Sequence, residues 1–191
     1  MKSIENDIKN GTIKNIYFLL GVEPYLIYQY RDKLVNALVN PEDEINYRKY
    51  VGESVDVNEA LELADTVPFF ADQRVIVFED TGLFKKSNDR LAEYLLDVPE
   101  TTFIIFTECF KGDRIDEKNY EKSLVDKRLK VYKSVRDKGR IIEFKRTSRE
   151  MLFRWISGKF KNAGLKVANG TIDELIDYVG DDMAAQRESY S

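Results

Sequence analysis

Asn15-Ile16-Tyr17-Phe18-Leu19-Leu20-Gly21-Val22-Glu23-Pro24-Tyr25-Leu26-Ile27-Tyr28 is the stretch that decides the fold. From Asn15 to Leu20 it runs on as a short apolar segment, the pattern of a strand buried on both faces. Pro24 is acceptable in the first turn of a helix, and a helical pattern follows it to Leu38. Strand, glycine, helix is the corner at which a phosphate-binding loop sits. Such a loop needs Gly-x-x-x-x-Gly-Lys-Ser/Thr: glycines so that backbone amides cradle phosphate, lysine to neutralise it, and a hydroxyl for magnesium. Here the second glycine, the lysine and the hydroxyl are missing. Glu23 places negative charge where phosphate would go, and Pro24 removes an amide donor. Gly21, Val22, Glu23 and Pro24 therefore read as a degenerate nucleotide loop, with no nucleotide hydrolysis and no cofactor expected.

Working outward, strand and helix patterns alternate. Further strands are expected at Tyr47–Val51, Arg74–Glu79, Thr102–Thr107 and Arg140–Phe144. Helices are expected at Asn58–Thr66, Asp89–Leu96 and, as one long element capped by Gly139, Glu121–Lys138. Five strands separated by helices predict an α/β domain, a parallel sheet with helices on both faces and right-handed crossovers. After Phe144 no strand pattern appears. Thr147-Ser148-Arg149-Glu150 reads as a capping box. It opens a helix carrying Leu152, Phe153, Trp155, Ile156 and Phe160 and ending at Ala163-Gly164. A second helix runs from Thr171 to Val179, stopped by Gly180, and a third opens at Asp181. The boundary is placed at Lys145-Arg146, giving domains 1–145 and 146–191. The third helix has no long apolar face, so the second domain is expected to be incomplete at its C-terminal end.

Composition narrows the function. The chain has 191 residues, 43% hydrophobic and 34% charged, with net charge −4, which fits a soluble globular protein. The charges are mixed and spread out, so no basic surface is large enough to drive DNA binding by phosphate neutralisation alone, and any contact with nucleic acid would be local or shared with partners. One cysteine and no histidine exclude disulfide scaffolds, histidine-based metal sites, triads and imidazole acid–base chemistry. Cys109 reads as a small apolar residue at a strand end in a reducing compartment. No signal region or membrane-length apolar run is present, so a cytoplasmic location with no membrane partner is expected. Glu79 and Asp80 end the third strand, where a nucleotide hydrolase holds magnesium. With the rest of that machinery missing they read as solvated acids. Asp113, Asp116 and Glu117 match no calcium loop and read as solvated surface, so no metal site is expected. Lys127, Arg128, Lys130, Lys133, Arg136 and Lys138 give the long helix a basic face, either simply solvated or in contact with a partner or DNA.

Val67-Pro68-Phe69-Phe70-Ala71-Asp72 connects a helix to the third strand. Connectors are normally polar because their backbone needs water. Two adjacent phenylalanines there are either core or a plug for another protein. Neighbours in an extended segment point opposite ways, so one ring is expected to be buried, or at least to brace the corner, while the other projects. Pro68 stiffens the corner and lowers the entropy lost on docking.

Four segments carry a family resemblance: Ile16–Leu26; Val67–Arg74 running into Val75–Phe78; Asp126–Lys133 with Gly139–Phe144; and Leu152–Ile156 with Gly164–Val167 and Val179–Met183. In order and spacing over nearly the whole chain they resemble the delta subunit of the bacterial DNA polymerase III clamp loader. The resemblance implies an AAA+-like (RecA-like) first domain without ATPase activity, then a small all-helical lid domain. Family members continue into a third helical domain that joins a pentameric collar. Gln186 and Ser189-Tyr190-Ser191 depart from the family pattern. The implied function is that of a non-catalytic subunit of a DNA-directed DNA polymerase, itself a nucleotidyltransferase assembly. The implied partners are the ring-shaped sliding clamp, the loader's ATPase subunits and delta-prime, with DNA met only indirectly. Carried over to this chain, Phe69 and Phe70 are the plug that enters the clamp, flanked by Val67 and Pro68. The alternatives are a nucleotide-dependent enzyme of P-loop descent with an atypical loop, and a DNA-binding regulator using the basic face of 121–138.

Overall fold

Five strands, β1 (Ile16–Gly21), β2 (Tyr47–Val51), β3 (Arg74–Glu79), β4 (Thr102–Cys109) and β5 (Arg140–Phe144), form one sheet in the order β2-β3-β4-β1-β5. Every pairing is parallel. The computed structural model describes residues 2–111, 119–146 and 149–179. The three inner strands are apolar and buried along almost their whole length. The edge strands β2 and β5 are only partly covered. Arg48, Lys49, Arg140 and Glu143 can therefore sit in strands that still read as β.

The helices are α1 (Lys2–Asn10), α2 (Pro24–Leu38), α3 (Val57–Ala64), α4 (Asp89–Tyr94), α5 (Tyr120–Leu124), α6 (Lys130–Lys138), α7 (Arg149–Asn162) and α8 (Asn169–Val179). The strand period of two sorts the core into two layers. Ile16, Phe18 and Leu20 join Ile76, Phe78, Ile104 and Phe106 beneath α3, α4 and α6. Phe18 stacks on Phe84 with ring centroids 3.8 Å apart. Tyr17 and Leu19 face the other way, with Val75, Val77 and Ile105, against Leu26, Ile27 and Leu34 of α2. Leu152 and Ile156 of α7 and Ile172 and Ile176 of α8 join that second layer, and Trp155 meets Tyr25 edge-on at 5.4 Å.

Three features depart from the sequence reading. The first is α1, which was not foreseen. Its Ile4 is fully buried, and its Asp7 accepts from the Tyr17 hydroxyl at 2.7 Å and pairs with Arg140 at 2.9 Å. A nine-residue polar helix is held by these tertiary partners rather than by its own propensity. The second is the long helix over 121–138, which is in fact two. Between α5 and α6, Val125 is extended and buried, the Asp126 amide donates to the carbonyl of Phe84 at 2.8 Å, and the Asp126 carboxylate accepts from the Arg128 amide at 2.9 Å. Local side-chain bonding to backbone competes with helix at such a site. The third is that β4 runs on to Cys109. The Thr147 cap and the helix expected from Asp181 lie outside the described residues.

Gly139 follows α6 but is extended (φ −118°), not left-handed. Its role is close approach: a Cβ there would lie 2.6 Å from the Ile16 carbonyl oxygen and 2.8 Å from the Ile16 Cβ. Gly158, inside α7, has no heavy atom within 4 Å of the corresponding position. Gly139→Ala is therefore expected to destabilise by about 1–3 kcal/mol through overpacking, whereas Gly158→Ala stabilises by about 0.5–1 kcal/mol through helix propensity. Urea midpoints of the two variants check this. Equal shifts of the same sign would contradict the packing account.

Candidate functional site

The strand–glycine–helix corner is built for sheet packing. Gly21 ends β1 with φ +145°, and a Cβ there would lie 2.1 Å from the carbonyl oxygen of Phe144. The next amide, that of Val22, donates to the same carbonyl at 2.9 Å. Pro24 has no amide to give and opens α2. Glu23, just before the helix, is only 4% exposed. At a helix N-terminus, free amides and the dipole together make an anion site. Here one amide is spent on β5, another is absent, and a carboxyl side chain is buried at the same place.

The acids at the end of β3 are not solvated, contrary to the expectation above. Glu79 is paired with Arg31 of α2 and lies 3.6 Å from Lys49. Asp80, in a left-handed conformation (φ 52°), accepts from the Cys109 amide at 2.8 Å and the Tyr28 hydroxyl at 3.2 Å, and pairs with Lys111 at 3.0 Å. A magnesium ion would have to displace these cations and donors. Cys109 is buried as expected, and burial pushes its thiol up to about 12, leaving it inert. Burial likewise raises the Tyr28 hydroxyl. Among the described residues no group of three or more His, Cys, Asp or Glu side chains could hold a metal ion, and no helix is long and apolar enough to cross a membrane.

Glu108 was missed because the sequence reading ended β4 at Thr107, two residues short of Cys109. It is 4% exposed and accepts from the Gly82 amide at 2.7 Å. Burial first, then the nearby Asp80 charge, raise its carboxyl to about 7, against the pull of the Gly82 amide, Lys85 and Thr81. The folded state thus holds this proton more tightly than the unfolded chain. The associated stability is complete below the unfolded value near 4.5 and is lost as pH rises through about 7. Glu108→Gln keeps an acceptor for Gly82 and cannot ionise. Its stability relative to the parent should rise between pH 5 and pH 8, by up to about 3 kcal/mol at roughly 1.4 kcal/mol per pKa unit. Urea unfolding at both pH values measures it, and a pH-independent difference would rule the account out.

The α3–β3 corner is built quite differently. Asp56 caps α3, accepting from the Asn58 and Glu59 amides. The Thr66 hydroxyl donates to the Leu63 carbonyl at 2.7 Å. Beyond it Val67 is 82%, Phe69 56% and Phe70 95% exposed. The two rings pack edge-on against each other, centroids 4.3 Å apart. The expectation that one ring turns into the core fails for a backbone reason. Phe70 has φ +53°, so the segment is not extended and its side chains do not alternate. That conformation costs a bulky residue roughly 1–2 kcal/mol.

Two residues that the sequence reading did not single out for this site hold the corner. The Phe69 amide donates to Asn46 Oδ1 at 2.8 Å, and Asn46 Nδ2 donates to the Phe69 carbonyl at 2.8 Å. Arg74, at the start of β3 and 3% exposed, donates to the carbonyls of Leu63 at 3.1 Å and Val67 at 3.2 Å. Neither role has a sequence signal: Asn46 meets Phe69 because β2 lies beside β3, and Arg74 meets Leu63 and Val67 because the chain folds back from α3 onto the start of β3.

The basic face expected over 121–138 does not exist as one surface. It is divided between a turn, which carries Lys127 and Arg128, and α6, which carries Lys130, Lys133, Arg136 and Lys138, and Lys127 pairs with Glu121, Arg128 with Asp126, Lys130 with Asp89 and Arg136 with Asp137. Asp113, Asp116 and Glu117 lie outside the described residues.

Residues 17–144 match the family described as DNA polymerase III, delta subunit, well over half of the chain. The chain belongs to that family. The Bacillus subtilis DNA clamp loader delta protein (YqeN) has a similar structure, with a TM-score of 0.74 at 15% identity over 98% of this chain and 55% of that one. This delta-family chain thus spans about half the length of that relative. The Thermotoga maritima RuvB Holliday junction branch migration motor matches with a TM-score of 0.55 at 10% identity, over 97% of this chain and 56% of that one. S. cerevisiae Hsp104 bound to ADP matches with a TM-score of 0.51 at 16% identity, over 95% of this chain and 40% of that one. At these identities the likeness is one of fold, an AAA+-like parallel sheet flanked by helices. No curated protein matches the chain in sequence.

Proposed function

We propose that this delta-family chain is a clamp-loader subunit that binds and opens the ring-shaped sliding clamp, with Phe69 and Phe70 as the plug and Val67 and Pro68 at its rim. The observation that carries the reading is a pair of phenylalanines, 56% and 95% exposed, on a corner fixed by buried polar side chains. An aromatic pair held in water is a ready-made hot spot. Burying each ring at an interface is worth roughly 1.5–3 kcal/mol. Micromolar affinity needs about 8 kcal/mol, so contacts around the plug complete the surface. Opening follows from differential binding: a subunit that holds the opened ring better than the closed one shifts the population toward open.

In this reading the chain hydrolyses no ATP. The corner of Gly21, Val22, Glu23 and Pro24 is a relic, its amides and charge committed to the fold, and the work of ATP falls to ATPase subunits that assemble with this one and with delta-prime. DNA is met only through that assembly, in the cytoplasm. α7 and α8 begin a second, helical lid domain after a boundary near Lys145-Arg146. Neither alternative has an observation in its favour. A nucleotide enzyme would need the amides that Phe144 and Pro24 remove, and a DNA-binding regulator would need the basic face that the acidic partners break up.

Phe69→Ala combined with Phe70→Ala should lower affinity for the sliding clamp of the same organism about a hundredfold or more. Both rings are exposed, so the melting temperature should hardly move. Surface plasmon resonance and a thermal melt read the two quantities. A double variant that binds the clamp like the parent, or that unfolds, would sink the plug.

A further inference from the structure

We infer that Asn46, fixed by Asp43 and Arg74, is a positioning residue that keeps Phe69 and Phe70 out of the core and in one binding-ready arrangement. This rests on the reading of that pair as the clamp-binding plug.

Exposed aromatic rings next to an apolar sheet have every incentive to collapse onto it. A left-handed backbone at a bulky residue such as Phe70 persists only where its surroundings over-determine it. The Asn46 side chain supplies that constraint. The Asn46 carbonyl accepts from the Val75 amide at 2.8 Å, the first rung between the start of β2 and β3. Its side chain then engages both backbone groups of Phe69, at 2.8 Å each. An amide side chain thereby imitates one further residue of strand and carries the pairing beyond the sheet edge to the plug.

Asn46 is itself immobilised. It is 2% exposed. Its Nδ2 donates to Asp43 Oδ2 at 2.7 Å, and its backbone amide donates to Asp43 Oδ1 at 3.1 Å. Arg74 Nη2 reaches Asn46 Oδ1 at 3.5 Å and the Val67 carbonyl at 3.2 Å. A carboxamide has two donor hydrogens and an oxygen with two lone pairs, and all four sites are used. Aspartate at this position would lose the bond to the Phe69 carbonyl and set a second carboxylate beside Asp43. The remaining backbone of the corner is tied by Arg74 to Leu63 and by Thr66 to the same carbonyl. Residues 63, 66, 67 and 69 are therefore all pinned, while the rings carried by the last of them and by its neighbour stay free.

The kinetic consequence is specific. Without the clasp the plug samples several arrangements, and affinity falls by the fraction of time spent in the competent one. The final contacts with the clamp are unchanged, so the loss appears in the association rate. The experiment compares the full chain with its Asn46→Ala and Asn46→Asp variants, each read on its folded fraction, by surface plasmon resonance against the sliding clamp and by amide hydrogen exchange at Phe69. The expected result is loss of exchange protection at Phe69 and an association rate reduced about tenfold, with a dissociation rate within about twofold of the parent. Asn46→Asp keeps the size and an acceptor oxygen, and it decides the matter should Asn46→Ala unfold. Parent-like association by the folded variants overturns the inference, even where exchange protection is lost. Phe69→Ala with Phe70→Ala, run alongside, separates the two ideas. If that variant still binds, the plug itself is wrong. If it fails to bind while the Asn46 variants bind normally, only the positioning role is wrong.

Discussion

β1 lies between β4 and β5 so closely that neither Gly21 at its end nor Gly139, next to its beginning, has room for a Cβ. This close approach sets the register of three parallel strands and seats α2 and α6 on opposite faces of the sheet. It also uses up chemistry. The Val22 amide, which in a phosphate-binding loop would point at a ligand, points at Phe144. The next position is Glu23, buried, and the one after it is Pro24. The corner that could have held nucleotide became part of the scaffold, and the acids at the end of β3 followed, bound by Arg31, Lys49 and Lys111.

The opposite logic governs the α3–β3 corner. There the chain spends buried polar groups to keep apolar side chains in water. Asn46 and Arg74 are almost fully buried, and their bonds go to the backbone of a surface loop. Polar groups in such a place cost free energy unless satisfied; the Asn46 carboxamide and both Arg74 Nη atoms find partners, mostly on the loop whose shape they impose, while the buried Arg74 Nε has none among the described residues. Stability alone would favour Phe69 and Phe70 folded onto the sheet. Holding two rings outward makes sense for a surface meant to meet a partner.

Much of this was legible in the sequence, and the exceptions share a cause. The apolar runs at Ile16–Leu20, Val75–Phe78 and Phe103–Phe106 carry their own signal, and the five parallel strands follow from them. The missing lysine and second glycine after Gly21 were plain to read. α1 was not, because Ile4 is held by burial in the core and Asp7 by the Tyr17 hydroxyl and by Arg140, which is far away in sequence. The break at Val125–Leu129 was hidden for the same reason, since no glycine or proline marks it and the deciding bond goes to Phe84. At the apolar corner the composition singled out Phe69 and Phe70. Their direction depended on one left-handed residue and on an asparagine that only strand pairing brings near.

The central claim is that this chain meets its partner at the aromatic corner and that the corner after β1 binds nothing. Chemical-shift mapping on the isotope-labelled chain, titrated separately with the sliding clamp and with Mg-ATP, tests both halves at once. The account predicts that the clamp perturbs amides between Val67 and Asp72 and that Mg-ATP leaves Gly21 to Tyr28 unmoved. Shifts at Gly21 to Tyr28 on adding Mg-ATP, with Val67 to Asp72 silent toward the clamp, would contradict it.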